Sequence, residues 1–306
     1  VLEWIKIFDF GGNRTMIQDI APLQLNNVYR NKMPSENSYL LAFRENRIFL
    51  KAGEEMTYLR YGELKSVCGR ESRELPECTY LFSIGTEEYF LADLWENCEI
   101  PGFDWHKMFA VRTMRPKEKV LAAATAWHLY GWYRDNRFCG RCGEKLVHSA
   151  EMRMLQCPCC SNQVFPKIAP AVIVGVTDGR KILMTKYANR EYKRYALIAG
   201  FTEIGETAEE TVKREVEEEV GLHVKNIRYY KSQPWGFDSN LLLGYFCELE
   251  EPEAIHLDKN ELSLAEWVDY TEIPDDPEGL SLTREMMLVF REEQKKKQKT
   301  IDSPNI

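Results

Sequence analysis

The sequence predicts a mixed α/β (α+β) protein that carries a small zinc ribbon, and three observations predict it. Strand-type and helical runs alternate along 306 residues, a length that suggests two or three domains. Two C-x-x-C knuckles stand close together near the middle of the chain. A Glu-rich helix with clear caps follows a glycine loop in the last third. Apolar residues make up 44%, enough for a normal core and too many for a disordered chain.

Lys plus Arg is 40 and Asp plus Glu is 48, giving a formal net charge of −8. That balance argues against a dedicated duplex-DNA binder. The longest near-continuous apolar stretch, Ala169–Val176, is far short of the ~20 residues a membrane span needs, so no membrane partner is expected. The start Val1–Ile7 has early charges and no apolar signal region, and the end Pro304–Ile306 is no peroxisomal address. The expected compartment is the cytoplasm.

Residues 1–134 read as an N-terminal mixed α/β domain. Ser38–Phe43, Arg47–Leu50 and Thr79–Ile84 look like strands between Gly-, Asn- and Glu-rich turns. Residues 117–135 read as a helix, with Ala122, Ala123, Ala124, Ala126, Trp127, Leu129, Tyr130 and Trp132 supplying helix formers and a broad apolar face. His128 within it reads as a packed or surface side chain.

Residues 135–165 read as the zinc ribbon. Cys139-Gly-Arg-Cys142, fourteen residues, then Cys157-Pro-Cys-Cys160 can bring four thiolates onto one tetrahedral ion. Cys159 is a spare thiol beside the fourth position, and the two-residue gap favours Cys160. Four thiolates leave no open coordination position, so the Zn²⁺ would be structural. Cys68, Cys78, Cys98 and Cys247 are isolated and read as free thiols.

Residues 166–292 read as a second α/β domain. Ile168–Val176 is a buried-type strand, Asp178-Gly179 a hairpin turn, and Lys181–Lys186 its partner strand. Thr207 followed three residues later by Glu210 is a capping box, and Gly221 ends the helix that it starts. Ala208, Val212, Val216 and Val220 form an inward stripe, while Glu215, Glu218 and Glu219 share one arc beside it. Glu217 and Glu210 point away. Like charges at this spacing repel. Hard divalent cations such as Mg²⁺ or Mn²⁺ take oxygen ligands and would relieve them. Residues 293–306 read as a frayed charged tail, with Glu292–Lys299 its charged run.

These residues resemble a known family. Gly200, five residues, Glu206, seven residues, then Arg214-Glu-Val-Glu-Glu-Glu-Val-Gly221-Leu222 match all nine fixed positions of the Nudix box over 23 residues. Phe138–Gly143, the second knuckle, Phe165–Pro170 and Ser232–Trp235 are similar to the NADH pyrophosphatases, the zinc-ribbon branch of the Nudix hydrolases. The resemblance covers about residues 135–290 and implies an α/β/α sandwich for the second domain.

By resemblance, Glu215, Glu218 and Glu219 hold the catalytic Mg²⁺ or Mn²⁺ with the main-chain oxygen of Ala199. Glu261 is a further catalytic carboxylate, and Arg214 orients the others. Substrate contacts fall on Arg112, Phe165, Phe201, Gln233, Pro234, Trp235, Phe237, Ser239 and Thr283. The branch writes its recognition stretch Ser-Gln-Pro-Trp-Pro-Phe-Pro-x-Ser. Here Gly236 and Asp238 replace two prolines and Ser239 comes one position early, which implies a looser, more acidic loop.

The implied activity is metal-dependent hydrolysis of the pyrophosphate bond of NAD(H) to AMP and nicotinamide mononucleotide. A 5′-NAD cap on RNA presents the same bond. The resembling enzymes form homodimers. The alternatives are a Nudix hydrolase preferring ADP-ribose or another dinucleotide, and a zinc-ribbon binding module with a silent Nudix domain.

Overall fold

The computed structural model describes residues 16–188, 193–275 and 279–302. The start Val1–Ile7 and the end Pro304–Ile306 lie outside them.

The N-terminal third contains β1 (Leu25–Asn26), β2 (Tyr39–Leu41), β3 (Phe43–Arg44), β4 (Arg47–Leu50), β5 (Leu59–Arg60), α1 (Tyr61–Glu71), β6 (Cys78–Ile84), β7 (Glu87–Ala92), β8 (Asp104–Lys107) and the short α2 (Met108–Val111). The strands form a five-stranded sheet, β1-β6-β7-β2-β5, and a three-stranded one, β3-β4-β8. The runs Arg47–Leu50 and Thr79–Ile84 are strands as expected, and Ser38–Phe43 is divided at Ala42 between β2 and β3, which lie in different sheets.

Helix α3 (Lys117–Asp135) spans the residues whose composition predicted it. Its alanines 122, 123, 124 and 126 are buried at the joint of the molecule. One apolar cluster runs from Tyr39, Tyr58 and Tyr89 through these alanines to Ala171, Ile173 and Met286. Small side chains let both partners approach the helix closely. The buried Lys119 bonds α3 to the first sheet: its Nζ donates to Glu87 Oε2 at 2.7 Å and lies 3.7 Å from the Tyr39 ring centroid.

The ribbon is a three-stranded sheet in the order β11-β10-β9, built from β9 (Val147–His148), β10 (Leu155–Gln156) and β11 (Gln163–Val164). Trp132 at the end of α3 packs against Leu146, Leu155, Cys139 and Cys157. Tyr29 donates to Ser149 O at 2.9 Å, and Arg153 donates to the carbonyls of Asn27 and Leu81. These contacts fasten the ribbon to the N-terminal residues.

The last part contains β12 (Ala169–Asp178), β13 (Lys181–Tyr187), β14 (Ile198–Phe201), α4 (Ala208–Val220), β15 (Val224–Trp235), β16 (Asn240–Leu249), β17 (Leu262–Asp269) and α5 (Leu282–Asp302). The sheet order is β15-β16-β12-β13-β17, with β14 added on β12. β12 and β16 are parallel, and β12 turns into β13 at the expected Asp178-Gly179 hairpin.

Side chains of β12 alternate between the two faces, as a strand requires. Val172, Val174 and Val176 pack on Val212, Val216 and Val220 of α4. Ala171 and Ile173 face the other way, toward Leu282, Met286 and Phe290 of α5. The sheet is therefore covered by helices on both sides. Each fully buried valine of α4 contributes about 1.5–3 kcal/mol of apolar burial.

One expectation is overturned. Glu292–Lys299 is no frayed tail: it continues α5 as far as Asp302. Gln294 is buried and its Nε2 donates to Gly179 O at 3.3 Å, so the charged run has a buried side that composition alone conceals.

Candidate active site

The carboxylate helix has the caps its sequence predicts. Thr207 Oγ1 accepts from Glu210 N at 3.2 Å, Glu210 Oε2 accepts from Thr207 N at 2.7 Å, and Gly221 ends the helix at φ 66°. The loop ahead of it is tied by Glu203 N to Glu206 Oε2 at 3.1 Å and turns at Gly205, φ 97°.

The three carboxylates on the shared edge differ in exposure. Glu215 is 8% and Glu219 3% exposed, whereas the Glu218 side chain is 61% exposed. Glu217 and Glu210 are exposed, pointing away as the wheel predicts. Glu215 lies against Gly200 of β14, where a Cβ would come within 1.8 Å of its carboxyl carbon. Ala199, next in β14, pairs with Ile173.

Arg214 organises the edge. Its Nε donates to Glu206 Oε1 at 2.6 Å, and one terminal nitrogen donates to Glu215 Oε1 at 2.8 Å and to Glu218 Oε2 at 2.9 Å. The other terminal nitrogen donates to Phe201 O at 2.9 Å and Glu206 Oε2 at 3.0 Å. The guanidinium holds the Glu206 carboxyl down to about 2. Burial pushes the Glu215 carboxyl above the usual range against the pull of Arg214, and the charges of Glu218 and Glu261 push it further.

Glu261 therefore reaches the Glu215 carboxylate electrostatically although it is distant in sequence. Asp258 N donates to Glu219 O at 2.9 Å and His256 N to Val220 O at 2.8 Å, which clamps the 256–261 loop onto the end of α4.

Both expected metal sites can be tested on their donor sets. Cys139 and Cys160 Sγ lie 3.6 Å apart, and Cys142 and Cys157 Sγ 3.4 Å apart. Four sulfurs around zinc at ~2.3 Å would be about 3.8 Å apart, so the quartet fits. All four lie within 4.8 Å of one another, and Cys159 lies outside the group. The N–H groups of Arg141 and Cys142 hold the Cys139 thiol down to about 6, and those of Cys160 and Cys159 lower Cys157, while neighbouring thiols and burial push Cys142 and Cys160 up, so the spacing of the four sulfurs carries the fit. Among the described residues no carboxylate group closes to that 4.8 Å spacing. The α4 edge fits a cation by its chemistry instead: oxygen donors, two buried, with mutually repelling charges.

A second cluster of predicted residues forms at the β15–β16 loop. The Arg112 guanidinium carbon lies 4.8 Å from the Trp235 ring centroid and 5.6 Å from that of Phe237. Trp235 Nε1 donates to Asp238 Oδ2 at 2.9 Å. Gly236 is pressed on α3, where a Cβ would come within 2.2 Å of Ala124 O. These contacts correct the expectation of a loosened loop. Gly236 permits a close approach that proline would obstruct, and Asp238 pins the indole. Ser239 sits at φ 60° and its carbonyl accepts from Ala169 N at 3.0 Å.

The remaining predicted contacts are scattered. Phe201 and Phe165 are exposed, Pro234 is exposed beside Trp235, and Thr283 is half-buried in the first turn of α5. Gln233 is fully buried. Its Nε2 donates to Leu280 O at 2.9 Å and its Oε1 accepts from Leu282 N at 2.7 Å, so it braces α5 against β15. Sequence reasoning places Trp127 only on the apolar face of α3 and misses its bond to this loop, where its Nε1 donates to Phe237 O at 3.2 Å across 110 residues. No spacing signal could have found it.

Comparison with known proteins adds the following. The family described as NUDIX domain matches residues 167–298, and the one described as NADH pyrophosphatase zinc ribbon domain matches residues 134–165. The NAD-capped RNA hydrolase NudC of Chromobacterium violaceum is 35% identical over 198 residues, 65% of this chain and 74% of that protein. That of Pectobacterium carotovorum is 38% identical over 182 residues, 59% of this chain and 70% of that protein. A NUDIX hydrolase crystal structure from Nitrosomonas europaea aligns with 52% of this chain and 93% of its own, at 21% identity and a TM-score of 0.44.

Proposed function

Because the chain belongs to the Nudix hydrolases that carry the NADH pyrophosphatase zinc ribbon, we propose that it hydrolyses the pyrophosphate bond of NAD(H) to AMP and nicotinamide mononucleotide, and removes NAD caps from RNA. The observation that carries the reading is the complete Nudix box, with Glu215, Glu218 and Glu219 on one edge of α4 and Glu215 seated on Gly200. The two NudC relatives support the substrate.

Glu215, Glu218, Glu219 and the main-chain oxygen of Ala199 would hold Mg²⁺ or Mn²⁺, with Glu261 as a further donor. A divalent ion supplies positive charge to the pyrophosphate oxygens and makes water more acidic. The chain does the rest. Arg214 keeps Glu215 and Glu218 on the working edge. Glu219 or Glu261 takes the proton of the attacking water. The leaving group is a nucleoside monophosphate, a stable anion, so no strong general acid is required. Phe201 and Phe165 offer exposed ring faces for stacking, whereas Trp235 is buried and, with Phe237 and Arg112, shapes the β15–β16 loop from within.

In this reading residues 166–292 catalyse, residues 135–165 bind structural Zn²⁺ through Cys139, Cys142, Cys157 and Cys160, and residues 1–134 support the loop that carries Trp235. We place the enzyme in the cytoplasm as a homodimer. Five free cysteines beside the zinc quartet suit a reducing compartment, and the exposed Phe138 and Ile168 offer apolar surface to a second copy. Among the described residues no helix is long and apolar enough to cross a membrane.

The test is AMP release from NADH, NAD⁺, ADP-ribose and NAD-capped RNA with Mg²⁺ or Mn²⁺. Turnover of NADH above ADP-ribose is expected. Preference for ADP-ribose would instead favour the alternative that Gly236 and Asp238 raise, and no turnover of any substrate would mean a silent domain.

A further inference from the structure

A cavity of about 620 Å³ opens between α5, the β12–β13 hairpin and strands β15 and β16. Its size lies in the range of small-molecule sites. Two relationships separate it from the carboxylate edge. Thr177, which lines it, stands five positions along β12 from Val172, the residue that pairs with Gly200, a span of about 17 Å. Its floor, Phe246 and Phe290, belongs to the α5 face of the sheet, whereas α4 covers the opposite face. Gly175 lets that floor form, because a Cβ there would come within 2.7 Å of the Phe246 ring.

Charged side chains around the floor are balanced, Lys225, Arg228 and Lys297 against Asp178, Glu248 and Glu293. Two of them are engaged already. Lys225 Nζ donates to Glu250 O at 2.8 Å, and Glu248 Oε2 accepts from Asn226 Nδ2 at 2.8 Å. Arg228 and Lys297 are exposed, as is Asp178 at the hairpin turn. Glu293 is half-buried, and burial pushes its carboxyl above the usual range against the charges of Lys297, Arg228 and Lys296. It feels Lys297 and Arg228 through space, with a hydrogen bond to neither, so these three groups stand apart around the cavity.

We propose that the cavity is a second nucleotide site that takes a nucleoside monophosphate, its base against Phe246 and Phe290, an N–H of the base on the Glu293 carboxylate and its phosphate between Arg228 and Lys297. Such a ligand brings an apolar ring, a donor and an anion together, the three features that this lining complements. Two cations serve one phosphate through charge-assisted hydrogen bonds. The N–H on Glu293 replaces the attraction that Arg228 and Lys297 give it in the free protein. Asp178 and Glu248 repel a longer polyphosphate. Both products of the hydrolysis proposed above, AMP and nicotinamide mononucleotide, belong to this class, so that reading supplies the source of the ligand, whereas the binding stands without it.

Calorimetric titration of the full chain with 5′-AMP, nicotinamide mononucleotide and ATP, without Mg²⁺ or Mn²⁺, tests it. At least one monophosphate should bind saturably at one per chain, and the doubly substituted R228Q/K297Q should raise its Kd about tenfold. The two monophosphates tell the sources apart, and ATP should bind no tighter than AMP. Binding of neither monophosphate, a Kd unchanged by the double substitution, or tighter binding of ATP overturns the site. A circular dichroism melt checks the variant's fold, and R228K/K297R should keep the binding. Initial rates of NADH hydrolysis measured in parallel should be equal for wild type and R228Q/K297Q, and they separate the two readings. Turnover without monophosphate binding overturns the second site alone. Binding without turnover overturns the hydrolase reading alone.

Discussion

The Glu215 carboxylate rests on Gly200: a Cβ there would come within 1.8 Å of its carboxyl carbon and 2.0 Å of Oε1. The glycine is needed because a carboxylate occupies the place of its side chain. Gly200→Ala should displace the far end of Glu215 and leave the backbone where it is. Activity should fall by about 10²-fold or more, as a misplaced catalytic group does, with the melting temperature little changed. Steady-state kinetics and a thermal melt on the same variant check both halves.

Arg214 gives the site an acid limit. Its guanidinium lowers the Glu206 carboxyl from 4.5 to about 2, so the folded state holds that proton less tightly than the unfolded one. The stabilisation is present above pH 4.5 and is lost as pH falls through about 2. Arg214→Met should flatten the fall in melting temperature across this window, measured without divalent metal. The same variant should lose turnover at neutral pH, since Glu215 and Glu218 both lose a donor.

The sequence makes the carboxylate edge and the cysteine quartet legible because each is local. Thr207, Glu210 and Gly221 announce the helix ends, a wheel places the glutamates, and a two-residue gap selects Cys160 over Cys159. Contacts made across the chain are not legible in this way. Trp127 reaches Phe237 O, and Gly236 meets Ala124, only after α3 has docked on the β15–β16 loop. Gln233 looks like part of a recognition motif, yet burial turns it into a brace. The charged run after Glu292 resembles a tail because the one buried residue described in it, Gln294, is polar.

The ribbon separates two neighbouring thiols. Cys157 is buried within the quartet, whereas Cys159 is exposed and outside it. Cys157→Ser should cost the zinc and lower the melting temperature by about 5 °C or more, as loss of a structural metal does. Cys159→Ser should keep both. Metal content by mass spectrometry and a thermal melt distinguish the two variants.

The claim that three glutamates on one edge of α4 hold a divalent ion is tested most directly by counting Mn²⁺ on the protein with electron paramagnetic resonance. Wild type should bind Mn²⁺ saturably, while Glu215→Gln combined with Glu219→Gln should lose that binding and NADH hydrolysis together, with zinc content unchanged. If the doubly substituted chain bound Mn²⁺ as well as wild type does, the assignment of the metal to these carboxylates would be wrong.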